Sequence, residues 1–320
     1  MSEALHTIKA VAQQTGLNAH VIRIWEKRYG AVTPSRTDSN RRLYSSEEVE
    51  RLRLLRRATV AGHGISNIAR LSNETLRELV PAEPVVSAVA APSLQGLGRA
   101  ESVGERLRPA CLDAITRLDQ PALEEQFEEA LIGMGHQAML QYLIAPLTVE
   151  VGELWRAGRL TVAHEHFASD AIRTFLWNAS RPFAASETSP SLVVATPAGQ
   201  LHELGAVIVA AAARNQGWRV IYLGTSLPAA EIAGAVRLNG ARAVLLSIVY
   251  PEDDPQLPEE LTQLRKYLPT ETAVLVGGRA VGGYAEVIKS IGAKLIGSLG
   301  ELYPALEELR RKPVAHGEPT

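Results

Sequence analysis

Between residues 190 and 300 the chain changes period. Five short apolar runs, Leu192–Ala195, Val220–Leu223, Val244–Val249, Val274–Val276 and Leu295–Gly297, alternate with amphipathic stretches of helical spacing. Few folds accept this alternation. Strands joined by helical crossovers pair in parallel, and runs without polar alternation need cover on both faces. The expected architecture over 186–320 is a Rossmann-like, doubly wound parallel sheet. Loops that follow the carboxyl ends of its strands line one crevice.

The residues at those ends are unusual. The first run leads into Ala195-Thr196-Pro197-Ala198-Gly199-Gln200-Leu201-His202-Glu203-Leu204-Gly205. Ser247 closes the third run, and Gly277-Gly278 closes the fourth. A lone loop histidine is most often simply solvated, yet an imidazole at this edge also suits metal ligation or general base chemistry. Gly205 permits close approach. Small residues at 247, 277 and 278 leave room for a flat or tail-like group, although plain packing accounts for any one of them equally well. No Gly-x-Gly-x-x-Gly follows the first strand, which argues against a dinucleotide. No Gly-x-x-x-x-Gly-Lys-Ser/Thr is present, which argues against a nucleoside triphosphate.

Upstream, residues 101–185 read as a four-helix bundle, with Leu112, Ile115, Leu118, Leu123, Phe127 and Leu131 spaced for one apolar face. Pro146 and Pro182 mark breaks. Residues 81–100, rich in Pro, Ala, Ser and Gly, read as a linker. Residues 1–80 read as short helices around a hairpin: Ile8–Gln14, a helix capped by Asn18 and running to Tyr29, a hairpin over Thr33–Tyr44, a helix capped by Ser46 and running to Ala61, and a last helix over Ile65–Leu79. The overall charge of -2 conceals an asymmetry: 1–80 is net +5 and the remainder net -7. A basic head suggests a polyanionic partner. The single cysteine, Cys111, rules out an intrachain disulfide, and no apolar run is long enough to span a bilayer. The expected location is cytoplasmic, associated with the nucleoid when bound to DNA.

Two sets of motifs carry a resemblance. Thr7-Ile8-Lys9-Ala10-Val11-Ala12 with Thr15-Gly16-Leu17, then Ile22-Arg23-Ile24-Trp25-Glu26-Lys27-Arg28-Tyr29, Pro34-Ser35-Arg36-Thr37 and Arg41-Arg42-Leu43-Tyr44 resemble the MerR-type winged helix-turn-helix. Gln200-x-His202-x-x-Gly205, Ser247 and Gly277-Gly278 resemble the cobalamin-binding domain of methionine synthases, mutases and corrinoid proteins. Trp155, followed after nine residues by Glu165-His166, is similar to the Trp-x9-Glu-His motif of CarH/LitR-type regulators.

The resemblance implies a role for each residue. Asn18, His20 and Arg23 would face base edges in the major groove, and Arg28, Arg36, Arg41, Arg42 and Tyr44 would hold phosphates or the minor groove. His202 would be the lower axial ligand of cobalt, displacing dimethylbenzimidazole, whose nucleotide tail would pass Ser247 and Gly277-Gly278. Trp155, Glu165 and His166 would cap the upper ligand. Two positions depart from the family pattern. Gln200 stands where a carboxylate is usual, so its amide oxygen is expected to hold the distal N–H of His202 with less charge assistance, giving a more labile His–Co bond. Arg156 stands where light-responsive members place a histidine, and arginine cannot ligate cobalt; His164 and His166 remain as substitutes.

The implied function is that of an adenosylcobalamin-dependent, light-responsive repressor, a photoreceptor and not an enzyme. It would bind promoter DNA as a homo-oligomer, a tetramer by expectation, under control of the cofactor. Two alternatives stay open: a cobalamin-binding regulator that does not respond to light, and a corrinoid methyl-carrier protein. Cys111 is weak support for a second, covalently held chromophore.

Overall fold

The computed structural model describes residues 5–15, 17, 19–37, 41–60, 65–79, 94–180, 185 and 189–311. The chain forms two compact units, 1–167 and 168–320. The first begins with β1 (Leu5–Thr7), α1 (Ile8–Thr15), α2 (Ala19–Tyr29), β2 (Ser35–Arg36), β3 (Arg42–Ser45), α3 (Ser46–Val60), α4 (Ile65–Ile68) and α5 (Asn73–Leu79). The expected hairpin is β2 against β3. The three-residue strand β1, too short to leave a periodic trace, extends it into an antiparallel sheet of order β1-β3-β2.

Two boundaries differ from expectation. The cap of α3 is Ser45 rather than Ser46: Ser45 Oγ accepts from Glu48 N at 3.1 Å, while Glu48 Oε2 accepts from Ser45 N at 2.9 Å. This reciprocal capping box needs the carboxylate three residues after the cap, and Glu48 meets that spacing only from Ser45. The helix expected over Ile65–Leu79 is two helices. Ser72 Oγ accepts from Thr75 N and starts α5. Arg51 of α3 donates to the carbonyls of Ala69 and Leu71, which α4 leaves open where it ends. A tertiary contact makes that break affordable.

The unit continues with α6 (Leu94–Thr116), α7 (Gln120–Met139), α8 (Ala145–Arg156) and the start of α9 (Val162–Ser180). Residues 81–93 of the expected linker lie outside the described residues, as does Pro182. Residues 94–100, read as linker, already belong to α6. Asp119 caps α7 by accepting from Ala122 N at 3.1 Å. Gly135, at φ 79°, kinks α7, and a π-helical turn over Leu140–Ile144 precedes α8. Pro146, which has no N–H to donate, sits in the first turn of α8, where the donor is not needed. Leu107, Cys111 and Ile115 of α6 are buried, as are Leu123 and Phe127 of α7 and Leu147 of α8. Each of the aliphatic side chains contributes about 1.5–3 kcal/mol by leaving water. The core under the N-terminal sheet gathers Trp25, Tyr44, Leu52, Leu55, Ile65 and Leu76, and Ile132 of α7 joins it.

The second unit comprises the remainder of α9 and β4 (Ser191–Pro197), α10 (Leu204–Asn215), β5 (Arg219–Leu227), α11 (Ala229–Asn239), β6 (Ala243–Ser247), α12 (Leu257–Tyr267), β7 (Ala273–Gly277), α13 (Ala285–Ser290), β8 (Lys294–Ile296) and α14 (Leu299–Arg311). The strands pair in parallel in the order β5-β4-β6-β7-β8. β4 is buried along its whole length. Val193, Val244 and Val274 pack towards α11 and α12, while α10 and α14 lie together on another part of the sheet. The strand order reverses between β4 and β6, and an open parallel sheet presents its ligand crevice at such a reversal.

Candidate functional site

At the carboxyl end of β4 the chain rises into an arch. Gln200 anchors one foot. Its N–H donates to Pro197 O at 3.0 Å, and its carbonyl accepts from Ser226 N at 3.2 Å and from Thr196 Oγ1. Its side chain is buried, and Oε1 accepts from Val249 N at 2.9 Å and Tyr250 N at 3.1 Å. These donors follow β6, so the amide ties the two loops at the reversal together. The bond expected from Gln200 to the His202 ring is therefore not the one formed, because both lone pairs of its oxygen serve backbone donors. Gln200 Nε2 is buried without a hydrogen-bond partner.

Leu201 is 71% exposed, and His202 beside it is exposed as well. His202 makes no hydrogen bond among the described residues; its neighbour is Tyr250, set edge-on with ring centroids 5.9 Å apart. The imidazole is thus presented, not packed. Ser247, at the end of β6, is 3% exposed, and its Oγ is buried without a partner. A Cβ on Gly205 would stand 2.6 Å from that oxygen, so glycine is needed there for the hydroxyl to fit. Gly278 is at φ 114°, and a Cβ on it would overlap the Ile248 backbone. The space kept by Gly278 is filled by the chain itself rather than by an inserted group. For Gly277, too, the nearest atom to an added Cβ is a backbone oxygen, that of Ile296 at 2.9 Å.

In the first unit, Trp155 is 39% exposed at the end of α8, and the Arg156 guanidinium turns back to Gly152 O. His164 is fully used: Nδ1 accepts from Thr161 N at 3.1 Å, which leaves the proton on Nε2, 3.2 Å from Thr116 O. His166 differs. Its Nδ1 lies 2.7 Å from Glu165 Oε2 and donates to that carboxylate, which leaves the lone pair on Nε2. Of the two histidines only His166 keeps a nitrogen suited to ligation.

The N-terminal head separates the expected DNA contacts into two groups. Arg23, Arg28, Arg36 and Arg41 are exposed. Tyr44 is not: it is 0% exposed, and burial with Glu26 nearby pushes its phenol up to about 12. Arg42 donates to Glu26 Oε2 at 2.7 Å and locks the strand pair to α2. Of these two expected DNA contacts, Tyr44 is buried and so does not reach DNA, while Arg42, partly exposed, is paired with Glu26. Alternate residues of a short strand face opposite sides, and Tyr44 lies on the side that packs into the core with Trp25, Leu52 and Leu55. Asn18 and the side chain of His20 lie outside the described residues.

Residues 6–75 match the family model for the MerR HTH family regulatory protein, and residues 190–306 and 107–176 match two models of the B12 binding domain. The chain is 31% identical over 294 residues to the HTH-type transcriptional repressor CarH of Myxococcus xanthus, covering 91% of this chain and 94% of that protein. It is 29% identical to the HTH-type transcriptional repressor CarA of the same organism, covering 95% and 96%. The chain belongs to the CarH family of B12-dependent, MerR-type transcriptional regulators. It is accordingly a regulator and not an enzyme. The monomethylamine corrinoid protein of Methanosarcina barkeri shares the fold, with a TM-score of 0.51 and 18% identity over 65% of this chain and 99% of that one.

The residues at the β4–β6 reversal fit a corrinoid. Among the described residues no group of three His, Cys, Asp or Glu is placed to hold a bare metal ion. One presented imidazole suffices where a macrocycle supplies the equatorial nitrogens, as at a haem iron. The orphaned Ser247 hydroxyl and Gln200 amide N–H offer polar partners beside it. Sequence reasoning passed over Tyr250, Glu203 and Tyr222, which surround His202 or brace its loop; only their nearness in the fold distinguishes them. Among the described residues no helix is long and apolar enough to cross a membrane.

Proposed function

We propose that this member of the family is an adenosylcobalamin-dependent, light-responsive repressor of promoter DNA, and that His202 binds the lower face of cobalt. The observation that carries the reading is the exposed His202 imidazole, presented at the sheet's reversal beside the buried, unpartnered Ser247 hydroxyl. Ser247 would receive the nucleotide tail, with Gly205, Gly277 and Gly278 letting the chain around it pack closely enough to hold the hydroxyl in place. Gln200 would hold the β4 and β6 loops in register beneath it. Trp155 would pack on the upper ligand, with Glu165 and His166 beside it. Adenosylcobalamin supplies a cobalt–carbon bond that visible light breaks. Arg156 cannot ligate cobalt, and His164 is committed to Thr161 and Thr116, so of the two histidines His166, oriented by Glu165, is the one that keeps a nitrogen for ligation.

On this reading Arg23, Arg28, Arg36 and Arg41 contact DNA, with Asn18 and His20 at the base edges. One small head contacts too little DNA for specificity, so repression requires an oligomer, proposed as a homotetramer in the cytoplasm whose assembly the cofactor controls. Control requires the cofactor to favour the DNA-competent state over the other. Arg156 favours a second reading, in which the protein senses cobalamin without responding to light. The test is to load the full chain with adenosylcobalamin in darkness and measure its mass and promoter affinity before and after green light. A fall in both supports the light-responsive reading. Unchanged mass and affinity would leave only the cobalamin sensor.

A further inference from the structure

His202 sits on an arch with two feet, and the second foot is held by the residue that follows it. Glu203 begins α10, and its carbonyl accepts from Val207 N at 3.0 Å. A carboxylate at a helix start usually caps the free N–H groups, but this one makes no capping bond. It reaches sideways. Oε1 accepts from Arg173 Nη1 at 3.1 Å, and Oε2 accepts from Tyr222 OH at 2.8 Å. One carboxylate thereby ties α9, β5 and the start of α10 together.

Its two donors are themselves fixed. Arg173 also bonds Asp170 one turn earlier in α9. The Tyr222 ring packs on Trp177, with centroids 5.3 Å apart, and the Arg214 guanidinium covers Trp177 at 4.2 Å. Desolvation and the bond to Glu203 both raise the Tyr222 phenol pKa, so it stays protonated and donates. Between the feet at Gln200 and Glu203 only Leu201 and His202 span the gap, with no hydrogen bond of their own among the described residues. A metal ligand must be held within about 0.5 Å of its productive position. Beyond the edge contact of Tyr250 with the ring, that constraint comes from the feet.

We infer that Glu203 is a positioning residue for the His202 imidazole, fixing the C-terminal foot of the arch by holding Arg173 and Tyr222 at once. The inference rests on His202 being the protein's cobalt ligand. Charge matters less than the two acceptor positions. Glutamine can keep both contacts, its oxygen accepting from Arg173 and its amide donating to a rotated Tyr222 hydroxyl; alanine keeps neither.

The test uses the full chain loaded anaerobically with cob(II)inamide, a corrinoid without a nucleotide base, so that any axial nitrogen seen by electron paramagnetic resonance is the protein's. The readout is the fraction of bound cobalt with nitrogen coupling, which a general loss of stability would not change. The wild type should show the coupling and His202→Ala should lack it. A wild type without it, or an unaltered His202→Ala, would overturn the ligand assignment and this inference with it. Glu203→Ala should lower the ratio of His-bound to unbound cobalt about tenfold, a magnitude common for residues that orient a ligand. Glu203→Gln should restore it. Tyr222→Phe keeps the ring on Trp177 and removes one donor, so it should fall between them and guards against misfolding of the alanine variant. Normal coupling in both Glu203→Ala and Tyr222→Phe, with His202→Ala silent, would overturn the positioning role alone.

Discussion

At the residue scale, several polar side chains turned into the protein bind backbone or charged partners, and two buried polar atoms without a partner, Ser247 Oγ and Gln200 Nε2, lie at the candidate site. Gln200 answers two backbone N–H groups, Arg51 answers the carbonyls of Ala69 and Leu71, and Arg42 answers Glu26. His136 on α7 is a different case, since burial holds its imidazole pKa down to about 4. The unfolded chain takes up that proton from about pH 6.5 downward. Stability from keeping His136 neutral is therefore complete above about 6.5 and is lost as pH falls towards 4, by roughly 3 kcal/mol in all. Urea unfolding at pH 7 and pH 5 should show a drop in the wild type that His136→Gln largely removes. An equal drop in both proteins would show that other groups set the acid sensitivity. Cys111 is buried, and its thiol is pushed up to about 12, so it is poorly placed to anchor a covalent chromophore.

Among the elements, the start of α3 shows how local chemistry selects a boundary. Both serines at 45 and 46 are good caps by type, and only the position of Glu48 distinguishes them. Glu48 also accepts from Thr33 N through Oε1, so the same carboxylate closes the chain before β2. Ser45→Ala should cost about 1 kcal/mol of stability and Ser46→Ala distinctly less, read from thermal unfolding of the full chain. Equal losses would remove the capping box as the reason for the boundary. The strand alternation in the second unit was legible for the same kind of reason. Short apolar runs leave few choices of partner, and all five strands form where the runs lie, with β4 and β6 buried throughout and the edge strands β5 and β8 partly exposed. β1 and the split between α4 and α5 were not legible, because both depend on distant partners: β3 for the strand, and Arg51 for the split.

For the whole molecule, the division of labour between head and body follows from charge and exposure. Exposed cations that neutralise phosphates release counterions, and each contributes about one unit to the salt dependence of DNA binding. Arg41→Ala should therefore reduce that slope by about 1, whereas Arg42→Ala should leave it and instead lower the melting temperature, since it breaks the pair with Glu26. Affinity titrations of promoter DNA over a range of salt concentrations, with a melting curve for each variant, separate the two. A reduced slope for Arg42→Ala would return that residue to the DNA surface.

The sequence by itself determined the fold class, the family and the likeness to a cobalamin protein, because these rest on periodicity and on motifs a few residues long. His202 was legible for the same reason, standing at a strand end with Gly205 three residues on. Only the tertiary structure decided what surrounds that imidazole. The amide oxygen of Gln200 goes to the β6 loop, Glu203 reaches α9 and β5, and Tyr44 turns into the core that holds Trp25. Each of these depends on residues 19 to 50 positions apart meeting in space, and the spacing of side chains along the chain carries no record of such a meeting.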